Sequence, residues 1–340
     1  MCSRCGGGSF VGIMACARET ATRRGFVMAT ADRVIWRDGE FVAWADATVH
    51  ILAQSLQRGT LAFDYLSVHQ TPDGPAILKL AEHVARLFET CRIMGLPLGH
   101  READLVEACV ETVWRNPGAT SLKISALIAS VEAELVPQDP HVAVFIAAYD
   151  NQADIIAHHP GEVRTPLALK LKIERRIRNR RKDIVPPQAK MAANYSGPAF
   201  AKWRARREGF DEILLLDESE AVAEAPTANL FAISDGALVT PGDERVLLGI
   251  TRASILELAE AMDVPCEKRE LDVAELLAAD EVFLCSTSRA VAPVAQIDET
   301  RIGNGQPGPL TVRLRDRFAA IVSGQDPEFA HWLTPCAPVG

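Results

Sequence analysis

The segment Pro186-Pro187-Gln188-Ala189-Lys190-Met191-Ala192-Ala193-Asn194-Tyr195 sets one lysine among small and apolar neighbours. Such surroundings disfavour a charged ammonium and move the side chain toward the free, nucleophilic amine. Most lysines are solvated surface residues, and on this segment alone Lys190 is an ordinary one. Tyr195, five residues on, returns a phenol to the lysine only where the backbone bends.

Three more segments carry chemistry that suits such a lysine. In Glu224-Ala225-Pro226-Thr227-Ala228-Asn229-Leu230-Phe231 a carboxylate sits in a small-residue turn leading into an apolar strand. It accepts turn hydrogen bonds or, buried beside a pyridine nitrogen, keeps that nitrogen protonated. In Leu248-Gly249-Ile250-Thr251-Arg252 a glycine and a hydroxyl precede the helical run ASILELAEAM. That is an ordinary capped start or a place where free N–H groups meet an anion. In Cys285-Ser286-Thr287-Ser288-Arg289 a hydroxyl-rich turn closes an apolar strand, as ligand loops and plain turns both do.

Around these segments the pattern is mixed. VIWRDGEFVAWAD (34–46) reads as a hairpin turning at Asp38-Gly39. A strand over 61–69 leads to a turn at Pro72-Asp73-Gly74, after which Ile77 to Leu80 enters a helix with an apolar stripe of Leu80, Val84, Leu87, Phe88 and Cys91. A second amphipathic helix covers 101–115, and apolar strands cover 122–129 and 142–149. The second half opens with a strand over 167–173 and adds strands at 211–217, 229–235 and 281–287, with helices at 196–207, 252–262 and 273–279. No βαβ unit repeats, which points to α+β organisation. The expected division is an extension over 1–27, a small domain over 28–150, a linker over 151–162 and a large domain over 163–340.

Composition narrows the function. The chain has 340 residues, nearly half of them apolar, and a formal net charge of -9, which gives a polyanionic partner no general attraction. The run Glu174 to Lys182 is dominated by arginine but lacks interleaved aromatics, so it reads as a solvated or substrate-facing segment rather than a nucleic-acid site. No apolar run reaches the ~18 residues that a membrane span needs. The eight cysteines form no framework and read as the reduced thiols of a cytoplasmic protein. Cys2 and Cys5 form a CxxC without a second pair, so no metal site is expected. The first 27 residues read as a disordered extension more than as a signal peptide, with Met28 as a second candidate start.

Taken together, the four segments resemble the class IV aminotransferases, the fold-type IV pyridoxal-phosphate enzymes, over about residues 34 to 335. Branched-chain and D-amino-acid aminotransferases are their best-known members. The resemblance implies a small N-terminal α/β domain and a larger, β-barrel-like C-terminal domain with helices, the cofactor between them, and a homodimer. By the match to PQAKMAANY, Lys190 would form the Schiff base and shuttle the proton, and Tyr195 would meet the cofactor's phenolic oxygen. Glu224 would meet its ring nitrogen. Ile250, Thr251 and Thr287 would hold the phosphate, with Arg86 of EHVARL as another ligand. The reaction implied is ping-pong transfer of an amino group from an amino acid, branched-chain by default, to a 2-oxo acid.

Departures from the family pattern concern the substrate. Where branched-chain enzymes carry a motif like HYGTGVFEGIR, this chain has Leu56 to Ser67, with Arg58 for the tyrosine and Ser67 for the final arginine. Where they carry YIRPLIF it has Lys123 to Ala129, with Ser125 for the arginine. Losing two cations weakens or reshapes a carboxylate site, for which Arg58, Lys123 and Arg289 are candidate replacements. Tyr65 and Ser288 complete the expected substrate pocket. The stretch Phe63 to Val68 also resembles (R)-selective amine transaminases, so an amine or D-amino-acid transaminase stands as the alternative, and a pyridoxal-phosphate lyase such as aminodeoxychorismate lyase as a third.

Overall fold

Strict alternation along the chain's first strands decides which side chains meet the site. The structure is a computed structural model and describes residues 32–158 and 166–337. The expected extension over 1–27, with Cys2 and Cys5, and residues 159–162 of the expected linker lie outside the described residues. Strands β1 (Val34–Arg37) and β2 (Glu40–Ala43) form the expected hairpin. Asp38 and Gly39 both take positive φ, 47° and 102°, as the two central residues of a tight hairpin turn require. Helix α1 (Gln54–Arg58) then leads to β3 (Ala62–Thr71) and β4 (Gly74–Leu78).

The chain does not enter a helix at Ile77: β4 runs to Leu78, and Lys79 makes the break with a φ of 46° before α2 (Leu80–Met94). Helix α3 (Glu102–Arg115) and strands β5 (Ser121–Ile128) and β6 (Val142–Tyr149) complete this half. Where little periodicity was expected after Asp150, Asn151–Ile155 forms a π-helical turn, because the Asp150 carboxylate accepts from Ala153 N–H. On one face of the sheet Leu66, Leu122, Ile124 and Ile146 pack against Leu80, Val84 and Leu87 of α2 and Leu105 of α3. The other face carries Phe63, Tyr65 and Ser67, opposite Ser125, Lys123 and Ser121.

The second half contains β7 (Leu169–Glu174), α4 (Ser196–Arg207), β8 (Glu212–Leu215), β9 (Asn229–Ser234), β10 (Ala237–Thr240), α5 (Ile250–Ala261) and β11 (Cys266–Lys268). After them come α6 (Val273–Ala278), β12 (Glu281–Ser286), β13 (Ala290–Ile297), β14 (Thr300–Arg301), α7 (Pro309–Val322) and β15 (Leu333–Pro335). Eight strands form one sheet in the order β11-β10-β9-β12-β13-β7-β8, with β14 beside β13. One of its faces, with Leu230, Val282 and Leu284, packs on α6 through Leu276. The other, with Phe231 stacked on Phe283 at 5.0 Å, packs on α5 and α7 through Leu258, Leu314 and Phe318.

The two halves are joined at the far end of the chain. Strand β15 pairs with β4, making the first sheet seven-stranded. Just before it, Trp332 is 1% exposed and lies in the same apolar cluster as Leu78 of β4 and Phe231 of β9. Its carbonyl accepts from Lys79 N–H at 2.6 Å, and the Lys79 ammonium lies 4.4 Å from the indole centroid. Replacing Trp332 with Ala should cost about 3–5 kcal/mol, and urea unfolding followed by both fluorescence and far-UV dichroism should then show the two halves melting less cooperatively.

Candidate active site

Lys190 is held by backbone contacts to the first sheet. Lys190 C=O accepts from Phe63 N–H at 3.1 Å, and Ala192 N–H donates to Leu61 C=O at 2.8 Å, so the segment lies against the start of β3. Behind it, the buried Thr90 hydroxyl of α2 accepts from Lys190 N–H at 3.2 Å. Ala189 and Met191, on either side, are buried, which fixes the direction of the lysine between them. The bend that Tyr195 needs is a 3₁₀ turn, Ala192–Tyr195, running directly into α4. It brings Lys190 Nζ to 3.2 Å from the Tyr195 hydroxyl, which accepts its hydrogen bond. The Phe63 ring packs beside Tyr195, with centroids 5.3 Å apart.

Glu224 is 2% exposed and surrounded by donors. Arg180 Nη1 donates to it at 2.8 Å, Asn229 Nδ2 at 3.0 Å and Leu247 N–H at 3.2 Å. Burial pushes this carboxyl above its ordinary range, against the pull of Arg180 and the N–H donors. Arg180 also lies 5.2 Å from the Tyr195 ring centroid, tying the carboxylate to the lysine's partner. Gly249 lets this cluster close up, since a Cβ there would fall 2.0 Å from Asn229 Oδ1.

Arg86 reaches the same place from α2. Its Nε and Nη2 donate to Asp64 at 2.9 and 2.8 Å, and its Nη1 to Leu248 C=O at 3.1 Å. His83 Nδ1 meets Asp64 at 2.7 Å. Burial alone would raise the Asp64 carboxyl, but Arg86 and then His83 outweigh it and hold the group well below the usual carboxylate range. Burial pushes His83 down, against the opposing pull of Asp64. Across the gap Gly249 opens α5 with no side-chain cap, leaving the first-turn N–H groups for another acceptor.

Arg86, Arg180, Lys190, Tyr195, Glu224, Asn229 and Gly249 line one cavity that is partly open to solvent. The seven residues expected to hold the cofactor, Lys190, Arg86, Tyr195, Glu224, Ile250, Thr251 and Thr287, all line it. Arg58, Tyr65, Ser67, Lys123, Ser125, Ser288 and Arg289 do not. Tyr65 shares a 2.7 Å hydrogen bond with Ser121, and Ser67 one of 2.8 Å with His69. Lys123 Nζ lies 5.1 Å from the Phe63 centroid, with Ser125 opposite Phe63 on the same face. Arg58, Lys123, Ser288 and Arg289 are exposed. Sequence reading missed Asp64, His83, Arg180 and Asn229. Asp64, His83 and Asn229 lie within quoted motifs; Arg180 is hidden in a run that reads as surface.

Residues 62–297 match the family model described as amino-transferase class IV. The chain belongs to the class IV aminotransferases. It is 30% identical over 303 residues to the branched-chain-amino-acid aminotransferase of Escherichia coli (strain K12), covering 88% of this chain and 96% of that protein. Against the Pseudomonas aeruginosa enzyme of the same name it is 32% identical over 308 residues, covering 90% and 98%. Among solved structures, the T.th. branched-chain amino acid aminotransferase with pyridoxamine 5'-phosphate superposes with a TM-score of 0.83 at 31% identity, over 90% of this chain and 99% of that one.

This class IV aminotransferase therefore uses pyridoxal phosphate, and its cavity fits the group. An amine, a buried carboxylate, the Arg86 and Arg180 guanidinium groups and an uncapped helix start converge on one cavity, the donor set that an anionic pyridine ligand needs. Replacing Asp64 with Asn would leave the Arg86 and His83 cluster without its anion and should cost about 3–5 kcal/mol of stability near neutral pH. Because the folded carboxyl is held low, its contribution is complete above the ordinary range near 4 and fades as pH falls below it. Unfolding free energies of the two proteins, measured against pH, should converge in acid.

Proposed function

We propose that this enzyme moves the amino group of a branched-chain amino acid to a 2-oxo acid, with Lys190 as its catalytic residue. The observation that carries the reading is the convergence of the Lys190 amine, the Tyr195 hydroxyl and the Glu224 carboxylate on one cavity. Pyridoxal phosphate, when bound, supplies an electrophilic carbon and an electron-withdrawing ring. Lys190 would hold the aldehyde carbon and, as a free amine, would move the proton at the substrate's α-carbon. Tyr195, already accepting from Lys190, would hold the phenolic oxygen. Glu224, made more basic by burial, would keep the ring nitrogen protonated, while Arg180 and Asn229 hold the carboxylate in place. Arg86, Thr251 and Thr287, with the N–H groups of Ile250 and Thr251, would take the phosphate. The relatives' names support branched-chain donors. The hydroxyls of Ser67 and Ser125, in place of cations, favour the second reading, an amine or D-amino-acid donor.

Purified protein incubated with pyridoxal phosphate should absorb near the visible edge, and L-leucine should shift that band. A band that answers only D-alanine or (R)-1-phenylethylamine would select the second reading, and a colourless protein would remove both. Lys190→Ala should lower turnover by at least about 10²–10⁴-fold, as loss of a positioned proton carrier does.

A homodimer is part of the proposal. Ile51, Leu52, Leu56, Val131, Leu135 and Val136 are all exposed, Val136 by 75%. An Ala53–Val131 bridge and a hydrogen bond from Gln54 Nε2 to Leu135 C=O join their two loops into one apolar patch. Such a patch suits a second copy of the chain. The double substitution Leu135→Asp and Val136→Asp should convert a dimer to a monomer in sedimentation velocity. A cytoplasmic setting agrees with the five described cysteines, all of which are free thiols. Among the described residues no helix is long and apolar enough to cross a membrane.

A further inference from the structure

We infer that Lys123 is the residue that binds the substrate's α-carboxylate and so restricts the donor to amino acids. The inference rests on the aminotransferase reading. Lys123 stands in the middle of β5, opposite Tyr65, on the face of the first sheet that is turned away from its helices. Its Nζ lies 5.1 Å from the Phe63 ring centroid, and Lys190 Nζ lies 5.0 Å from the same centroid. Twice that distance bounds the separation of the two nitrogens. The α-carboxylate is bonded directly to the carbon whose proton Lys190 moves, so a group serving it must stand within such a radius of Lys190.

Charge pairing removes the two guanidinium groups that line the cavity. Arg86 and Arg180, the guanidinium groups lining the cavity, are each committed to a buried carboxylate, Asp64 and Glu224. Among the described residues no carboxylate lies within 4 Å of the Lys123 ammonium, and it makes no hydrogen bond. The Lys123 ammonium thus lies beside the ring that Lys190 also meets, with no described anion next to it, and a bound carboxylate would supply one. Burial and the Lys190 charge both push the Lys123 ammonium below its ordinary range, in keeping with an unmet counter-ion. Lys123 is exposed by surface area, as are Arg58 and Arg289, the other candidate replacements, but among the described residues only Lys123 of the three lies over the Phe63 ring that Lys190 also meets. An amine without a carboxylate leaves Lys123 unpaired, which is how the residue excludes that class of donor.

The test is calorimetric binding of 4-methylpentanoate, an unreactive acid, and of the neutral 4-methylpentanamide to the pyridoxal-phosphate-loaded enzyme. Lys123→Met should weaken the acid by about 10–100-fold, the range for a lost charge-assisted hydrogen bond, and leave the amide unchanged. Lys123→Arg should restore most of the acid's affinity. In parallel, Lys123→Met should raise the KM for L-leucine by a similar factor. Equal acid binding by wild type and Lys123→Met, or a parallel loss for acid and amide, would overturn the role of Lys123 alone. Wild-type protein that takes up no pyridoxal phosphate would instead overturn the aminotransferase reading, and this role with it.

Discussion

The Glu224 carboxylate has almost no access to water, and the second half of the molecule is arranged to make that tolerable. A buried carboxylate without partners would cost several kcal/mol, so each of its oxygens has to be met. The donors come from three places distant in sequence: Asn179 and Arg180 after β7, Asn229 at the start of β9, and the backbone of Leu247 before α5. Meeting one acid therefore fixes the cavity floor, the bend below Tyr195 and the start of the helix facing them. Gly249 has the same cause, since any side chain would push Asn229 away from the acid.

The first half contributes a matching ion cluster. Asp64 on β3 orients Arg86, and Arg86 reaches across to the carbonyl of Leu248, beside the uncapped helix start. Thr90, one turn further along α2, holds the backbone of Lys190. One helix thus positions both a cation for an anionic ligand and the segment that carries the reactive amine. Each half of the molecule contributes a buried carboxylate with its own arginine, Asp64 with Arg86 and Glu224 with Arg180.

Much of this was legible in the sequence where local chemistry is strong. The Asp38-Gly39 turn needs two positive φ values, and α4 begins and ends where its pattern does. The four motif segments meet at one cavity because they are adjacent in space. Strand β13 was missed because Pro293 interrupts it; β7 pairs only from Val294 onward, which leaves the proline without a ladder bond to supply. Helix α7 was missed behind Pro307 and Pro309, although Pro309 at its start is a favoured position and Leu310, Leu314, Phe318 and Ile321 give it a buried stripe. Arg180 was hidden among cations whose neighbours Arg175, Arg178 and Arg181 pair with Asp298, Glu220 and Asp183 at the surface. Only tertiary structure separates the inward arginine from the outward ones.

The pairing of β15 with β4 has a consequence for synthesis. A ribosome delivers β3, β4, β5 and β6 early, but the strand that covers the outer edge of β4 emerges only after the whole second sheet. Until then that edge offers unpaired N–H and C=O groups, and Leu78 beside it has no apolar cluster to enter. The nascent first half is in this sense an open template, exposed to pairing with its own kind, until β15 follows the second sheet and closes it.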